Sequence, residues 1–156
     1  VNEPRRPSWA RNPDHLTIAV RDVDAAVELL GHFGFRRDHD AAIDGGAPAV
    51  YMGMTHMRAN HITLVLDGAS PRFEIQLLHF TDDDGLDPAG ADPSCRTRLG
   101  MNHLALRVDD LAAAAAHLRS VGVVPLNDEL DFISRKLQFF EGPEGVTIEL
   151  AEWVTG

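Results

Sequence analysis

Apolar and polar residues alternate with a period of two over residues 15–20, where Leu16, Ile18 and Val20 are interleaved with His15, Thr17 and Ala19. That pattern predicts a strand buried on one face. Asp22 then offers a helix N-cap, and Val23, Ala26, Val27 and Leu30 recur at helical spacing, so a helix is expected over residues 23–32 with Gly34 as its stop. Strand-like patterning returns over residues 35–43, 50–54, 61–66 and 73–80, punctuated by a Gly45-Gly46 turn and a loop through Gly68 and Pro71. After residue 100 the order repeats. A strand over residues 103–108 leads into an Asp110-capped, alanine-rich helix over 111–121. Strands follow over 128–134 and 136–140, then a Gly142-Pro143-Glu144-Gly145 turn and a last strand over 146–153.

The repetition extends to individual residues. With an offset of 88 (103 minus 15), His15 falls on His103, Leu16 on Leu104, Val20 on Val108, Asp22 on Asp110 and Gly34 on Gly122. The chain therefore reads as a duplicated module, the feature that decides a fold before any single element does. The closing strands also match, Ile75-Gln76-Leu77 against Ile148-Glu149-Leu150, at an offset of 73 (148 minus 75). The first half thus carries 15 extra residues (88 minus 73), expected around residues 44–62. The resulting organisation is an N-terminal arm (1–14), a first module (15–80), a linker rich in Asp, Pro and Gly (81–99) and a second module (100–156). Together the modules are expected to form one compact α+β domain, with Trp9 of the arm packing on the body or on a partner chain.

Composition narrows the partners. With 156 residues, 44% of them hydrophobic, the chain can bury one sizeable core. A formal charge of -10 repels phosphate backbones, which argues against nucleic acid. The single cysteine, Cys95, cannot form an internal disulfide and fits a reducing cytoplasm. No apolar run approaches the roughly 20 residues of a membrane span, and no signal peptide is expected ahead of the first module.

Alternation also locates the candidate chemistry, because strand residues two apart share a face. If Leu16, Ile18 and Val20 and their counterparts Leu104, Leu106 and Val108 face the helices, the opposite face collects His15, His103, Gln76 and Glu149. Glu74, Thr17, Thr147 and Arg107 lie beside them. Two imidazoles, one carboxylate and one amide oxygen suit a divalent metal and leave positions open for a ligand. Glu74 is an alternative donor, and Arg107 a candidate for holding a substrate carboxylate or phosphate. His39, His56, His61 and His79 lie on or near strands and are further candidates for lining the cleft, whereas His32 and His117 fall on predicted helices as surface residues.

These residues resemble the vicinal oxygen chelate superfamily, also called the glyoxalase, bleomycin-resistance and dioxygenase superfamily. The resemblance rests on His15-Leu-Thr-Ile-Ala-Val and His103-Leu-Ala-Leu-Arg-Val, each followed by an aspartate-capped helix, and on Pro143-x-Gly145-x-x-x-Glu149. It implies two tandem βαβββ modules whose strands curve into a half-open mixed sheet, with helices outside and a metal in the cleft. It also implies metal ligands from the first and last strands of each module, the positions of His15, Gln76, His103 and Glu149. The His, Gln, His, Glu order is most similar to methylmalonyl-CoA epimerase-like members. The implied cofactor is one divalent ion (Co, Ni, Zn, Mn or Fe), the implied partner a small-molecule substrate, and the expected assembly a homodimer.

Such an ion binds adjacent substrate oxygens and stabilises an enolate, which points to an isomerase, epimerase or lyase with Glu149 as base. Its repeat counterpart, Gln76, cannot accept a proton, so a second base is expected from Glu74 or Asp44. The epimerases use a glutamate of the first module, and no glutamate lies between Glu28 and Glu74 here. An extradiol dioxygenase is the alternative enzyme, since His15, His103 and Glu149 alone make a two-histidine, one-carboxylate set. Phe139 stands where those enzymes place a tyrosine, and residues 118–149 lack histidine. A metal-free binding or resistance protein is the third reading, although its aromatic-lined cleft contrasts with the 6% aromatic content here.

Overall fold

The computed structural model describes residues 13–51, 55–82, 101, 103–132 and 134–154. The N-terminal arm and the linker therefore lie, apart from residues 13–14 and 81–82, outside the described residues, as do Trp9 and Cys95. The first half runs β1 (His15–Ala19), α1 (Val23–Gly31), β2 (Phe35–Asp44), α2 (Gly46–Tyr51), β3 (Arg58–Leu66) and β4 (Glu74–Phe80). The second runs β5 (His103–Val108), α3 (Leu111–Ser120), β6 (Leu130–Phe132), β7 (Arg135–Glu141) and β8 (Thr147–Trp153). Each half builds its own four-stranded mixed sheet, in the orders β1-β4-β3-β2 and β5-β8-β7-β6. First and last strands run parallel, and the others antiparallel. The βαβββ repeat is thus present twice.

The duplication holds at the level of register and caps. Thr17 pairs with Gln76, and their counterparts Ala105 and Glu149 pair in the same way. The Asp22 carboxylate accepts from Ala25 N at 2.9 Å and the Asp110 carboxylate from Ala113 N at 2.8 Å, each satisfying a donor that a helix N-terminus leaves open. Gly34 and Gly122 both adopt positive φ, 93° and 87°, which ends each helix where a side chain would be strained.

The strand expected over residues 50–54 does not include Val50 and Tyr51. Residues 46–51 are instead helical, and 52–54 lie outside the described residues. A short apolar run cannot distinguish strand from helix by itself. Here Ala49 packs on Met57, Ala59 and Leu78, and that packing settles the run as a helical turn covering one end of the first sheet. The insertion is distributed rather than single. Pairing of Thr63 and of Phe139 with Gln76 and Glu149 gives an offset of 76 (139 minus 63), which leaves 12 extra residues before β3 (88 minus 76) and three between β3 and β4 (76 minus 73). The strand expected over 128–134 shrinks to Leu130–Phe132.

One core joins the halves. Ile18, Leu30, Leu64, Ile75 and Leu77 of the first half share a buried cluster with Leu111, Leu118, Phe140 and Ile148 of the second. The Phe33 and Phe140 rings meet edge to face at 6.2 Å. A polar clamp adds to it. Glu144, at φ 51° and ψ 35° in the β7–β8 turn, accepts from the Arg21 backbone N at 2.7 Å and from the Arg21 guanidinium at 3.3 Å. Hydrogen bonds to charged groups are worth roughly 1.5–3 kcal/mol, less where solvent screens them as it does at Arg21. Glu144→Ala is therefore expected to cost about 1–2 kcal/mol, read as a lower denaturation midpoint at unchanged slope.

Candidate functional site

Parallel pairing fixes which side chains share a face. His15 lies opposite Glu74 and Thr17 opposite Gln76, so these four project from the side of the first sheet away from α1. His103 lies opposite Thr147, Ala105 opposite Glu149 and Arg107 opposite Ala151, which puts His103, Glu149 and Arg107 on the corresponding side of the second sheet. Burial follows the same alternation: Ile18 is buried while His15, Thr17 and Ala19 are exposed, and His103, Ala105 and Arg107 are more open than Leu104, Leu106 and Val108.

In the second sheet His103 Nε2 stands 3.9 Å from a Glu149 carboxylate oxygen. Two donors about 2.1 Å from a common ion are separated by about 3–4 Å, so this pair has the spacing of metal ligands. Glu149 is mostly buried, its side chain 13% exposed, and Phe139, its neighbour across the β7–β8 ladder, lies 5.2 Å from the His103 ring between centroids. Those surroundings limit the water that competes for the pair. In the first sheet the Asp14 carboxylate accepts from His15 Nδ1 at 2.7 Å. A neutral imidazole that donates through Nδ1 keeps its lone pair on Nε2, the arrangement that outer-shell carboxylates impose on metal-binding histidines.

Gln76 is held from two sides. Its Oε1 lies 3.1 Å from His61 Nε2 and its Nε2 donates to Glu74 at 3.3 Å. Glu74 in turn accepts from Arg72 Nε at 2.6 Å, while the other side of that guanidinium donates to Asp38 at 2.7 Å. The Arg72 hydrogen bond, helped by the Gln76 amide, holds the Glu74 carboxyl below the usual glutamate range. Its folded pKa is depressed, so the stability gained from this pairing is complete above the unfolded glutamate pKa and is lost as pH falls through the lower folded value. Both Glu74 carboxylate oxygens are thus engaged, one by Arg72 and the other by Gln76. Asp44 sits away from this face, paired with Arg58 at 3.3 Å near the far end of β2.

The structure brings His103 and Glu149 together in the second sheet, whereas in the first Gln76 is joined to His61 and Glu74, and His15 to Asp14. Among the described residues no group of three or more His, Cys, Asp or Glu side chains gathers closely enough to hold an ion alone. The reason is topological: β1 and β5 are outer strands of separate sheets and share no ladder. The donor types and the His103–Glu149 spacing fit a divalent cation. His61 is the participant that alternation alone underrated. It pairs with Leu78, two residues beyond Gln76 on the same face, and its ring reaches back to the amide. A groove of about 680 Å³ opens elsewhere, at the N-terminus of α1, between Arg21, Arg37, Asp40, Asn60 and His79, and reaches the donor face at Ala41 and His61.

Comparison with known proteins agrees with this architecture. A 61-residue stretch is 39% identical to an uncharacterized protein, YaeR, of Escherichia coli, covering 38% of this chain. The match spans 47% of that protein, so the chain accounts for about half the length of the curated relative. A glyoxalase family protein from Bacillus cereus superposes with a TM-score of 0.81 at 19% identity, over 96% of this chain and all of its own. A glyoxalase/dioxygenase from Nostoc punctiforme follows at 0.66 and 18%, covering 98% of each chain. A variant of glyoxalase I from Zea mays gives 0.64 at 17% identity, over 90% of this chain and 45% of its own. These structures establish the fold. The profile of the Glyoxalase/Bleomycin resistance protein/Dioxygenase superfamily matches residues 14–132, and the chain belongs to that superfamily.

Proposed function

We propose that the protein is a divalent-metal-dependent enzyme that moves a proton next to a chelating carbonyl of a small organic substrate, as an isomerase, epimerase or lyase. The observation that carries this reading is His103 Nε2 at 3.9 Å from the Glu149 carboxylate, on the face of the second sheet that corresponds to the one carrying His15 and Gln76 in the first. His15, Gln76, His103 and Glu149 are the residues that would hold the ion. When bound, such an ion supplies Lewis-acid polarisation of substrate oxygens.

The chain's own residues divide the remaining work. Glu149 is the carboxylate that accepts the proton, shielded from bulk water by its burial and by Phe139 beside His103. Gln76 orients an oxygen of substrate or water, its amide fixed by His61 and Glu74. Arg107 meets a substrate anion. Phe139 in place of a tyrosine, and the absence of a histidine from residues 118–149, favour proton chemistry over ring cleavage. With the donors divided between two sheets, a homodimer offers a way to complete the set, and the single cysteine suits a cytoplasmic setting.

The test is exchange in deuterated water. A panel of 2-oxo aldehydes, 2-oxo acids and acyl thioesters, incubated with metal-loaded protein, is expected to include a member whose proton next to the carbonyl is replaced by deuterium. Oxygen consumption with catechols and no exchange would instead establish the dioxygenase.

A further inference from the structure

Five of the described arginines, Arg21, Arg36, Arg37, Arg58 and Arg72, each pair with a carboxylate, as an acidic chain of net charge -10 leads one to expect. Arg107, Arg119 and Arg135 do not, and of these three Arg119 lies apart on α3. Arg107 and Arg135 instead lie against the same indole: the Arg135 guanidinium carbon is 4.0 Å from the Trp153 ring centroid and that of Arg107 is 5.6 Å from it. The register explains the meeting. Arg135 pairs directly with Trp153 across the β7–β8 ladder, and Arg107 pairs with Ala151 on the other side of β8. Residues 149, 151 and 153 alternate onto one face of β8, so both cations and the indole share the face that carries Glu149 and His103.

Two guanidiniums beside one ring repel each other, and the ring's quadrupole offsets only part of that repulsion. No carboxylate of the described residues completes the pairing for either. The indole itself is 45% exposed, which leaves the cluster open to solvent and to a ligand. Guanidinium groups present planar forks of N–H donors that match oxyanions two at a time. A local cationic cluster is also what an anion needs in order to approach a protein whose overall field repels it.

We propose that Arg107, Arg135 and Trp153 form an oxyanion subsite that selects substrates bearing a carboxylate or phosphate distant from the reacting carbon. This inference rests on the proposed site at Glu149 for its meaning as a substrate subsite, but not for the binding itself. At about 3.3 Å per residue, Ala151 and Trp153 lie about 7 and 13 Å along β8 from Glu149. The substrate is therefore an extended anion whose charged end sits about that far from the carbon that exchanges its proton. Trp153 supplies a flat apolar wall for the intervening part.

Binding is measurable without metal or turnover. Trp9→Phe leaves Trp153 as the one tryptophan of the chain, and its fluorescence is titrated in metal-free protein at constant ionic strength with inorganic phosphate in one arm and succinate in the other. A saturable change is expected in at least one arm, and the arm that binds more tightly identifies the anion. The affinity falls at least tenfold in Arg107→Gln/Arg135→Gln, whereas Arg119→Gln on α3 leaves it unchanged. Should the double variant unfold, Arg107→Gln and Arg135→Gln singly are each expected to weaken binding, and Arg135→Lys to restore part of it. Absence of saturation in both arms, or equal affinity in the arginine variants, overturns the subsite. Metal content and deuterium exchange report on Glu149 separately, so either proposal can fail while the other stands.

Discussion

Glu149→Gln is expected to keep much of the bound metal and to lose turnover by roughly 10² to 10⁴, the contribution of a positioned general base. The substitution is nearly isosteric and retains an oxygen that can face the ion, but an amide accepts no proton at neutral pH. The surroundings make replacement by another residue difficult. Glu149 is mostly buried, and Phe139, across the ladder, packs near His103. Glu74 is held ionised by Arg72 and is engaged with the Gln76 amide, and Asp44 is paired with Arg58 at the far end of β2. Solvent exchange and metal content measured on the same preparation separate the two roles. Turnover near that of the unaltered protein would remove Glu149 from the role of base.

His103→Ala is expected to act earlier, at metal retention. Loss of an outer-shell partner alone lowers metal affinity about 10- to 100-fold, and loss of a ligand should exceed that. Among the described residues no adjacent imidazole or carboxylate can take its place: Ala105 and Arg107 are the next residues on its face of β5, and Thr147 is its partner across the ladder. The expected result is a folded protein with little bound metal and no proton exchange. Folding should survive, because His103 lies on the exposed face and outside the buried cluster that joins the halves. A variant of normal metal content would show that His103 is not a ligand. Gln76→Ala is the milder counterpart, since water can occupy the position of an amide oxygen.

Much of this was legible in the sequence because its signals are local or periodic. The period-two runs at His15 and His103, the aspartate caps and the offset of 88 each state a geometry that does not depend on distant packing. Alternation likewise assigned His15, Gln76, His103 and Glu149 to one side of their strands, and the ladders agree. Helix α2 was not legible, because Ala49, Val50 and Tyr51 form a run whose state is decided by Met57, Ala59 and Leu78. Contacts that need cross-strand register escaped for the same reason. His61 and Gln76 are 15 residues apart, and Arg107, Arg135 and Trp153 belong to three strands. Least legible was how the two sheets sit relative to each other, since no hydrogen-bonded ladder connects β1 with β5 to transmit a register.

The measurement that bears most directly on a metal-dependent enzyme is the identity and stoichiometry of metal in protein purified without a metal-binding tag. The proposed donor set of His15, Gln76, His103 and Glu149 predicts one equivalent of cobalt, nickel, zinc or manganese per site, lost in His103→Ala. Protein that holds no divalent metal after loading, or that holds the same amount with and without His103, would contradict it.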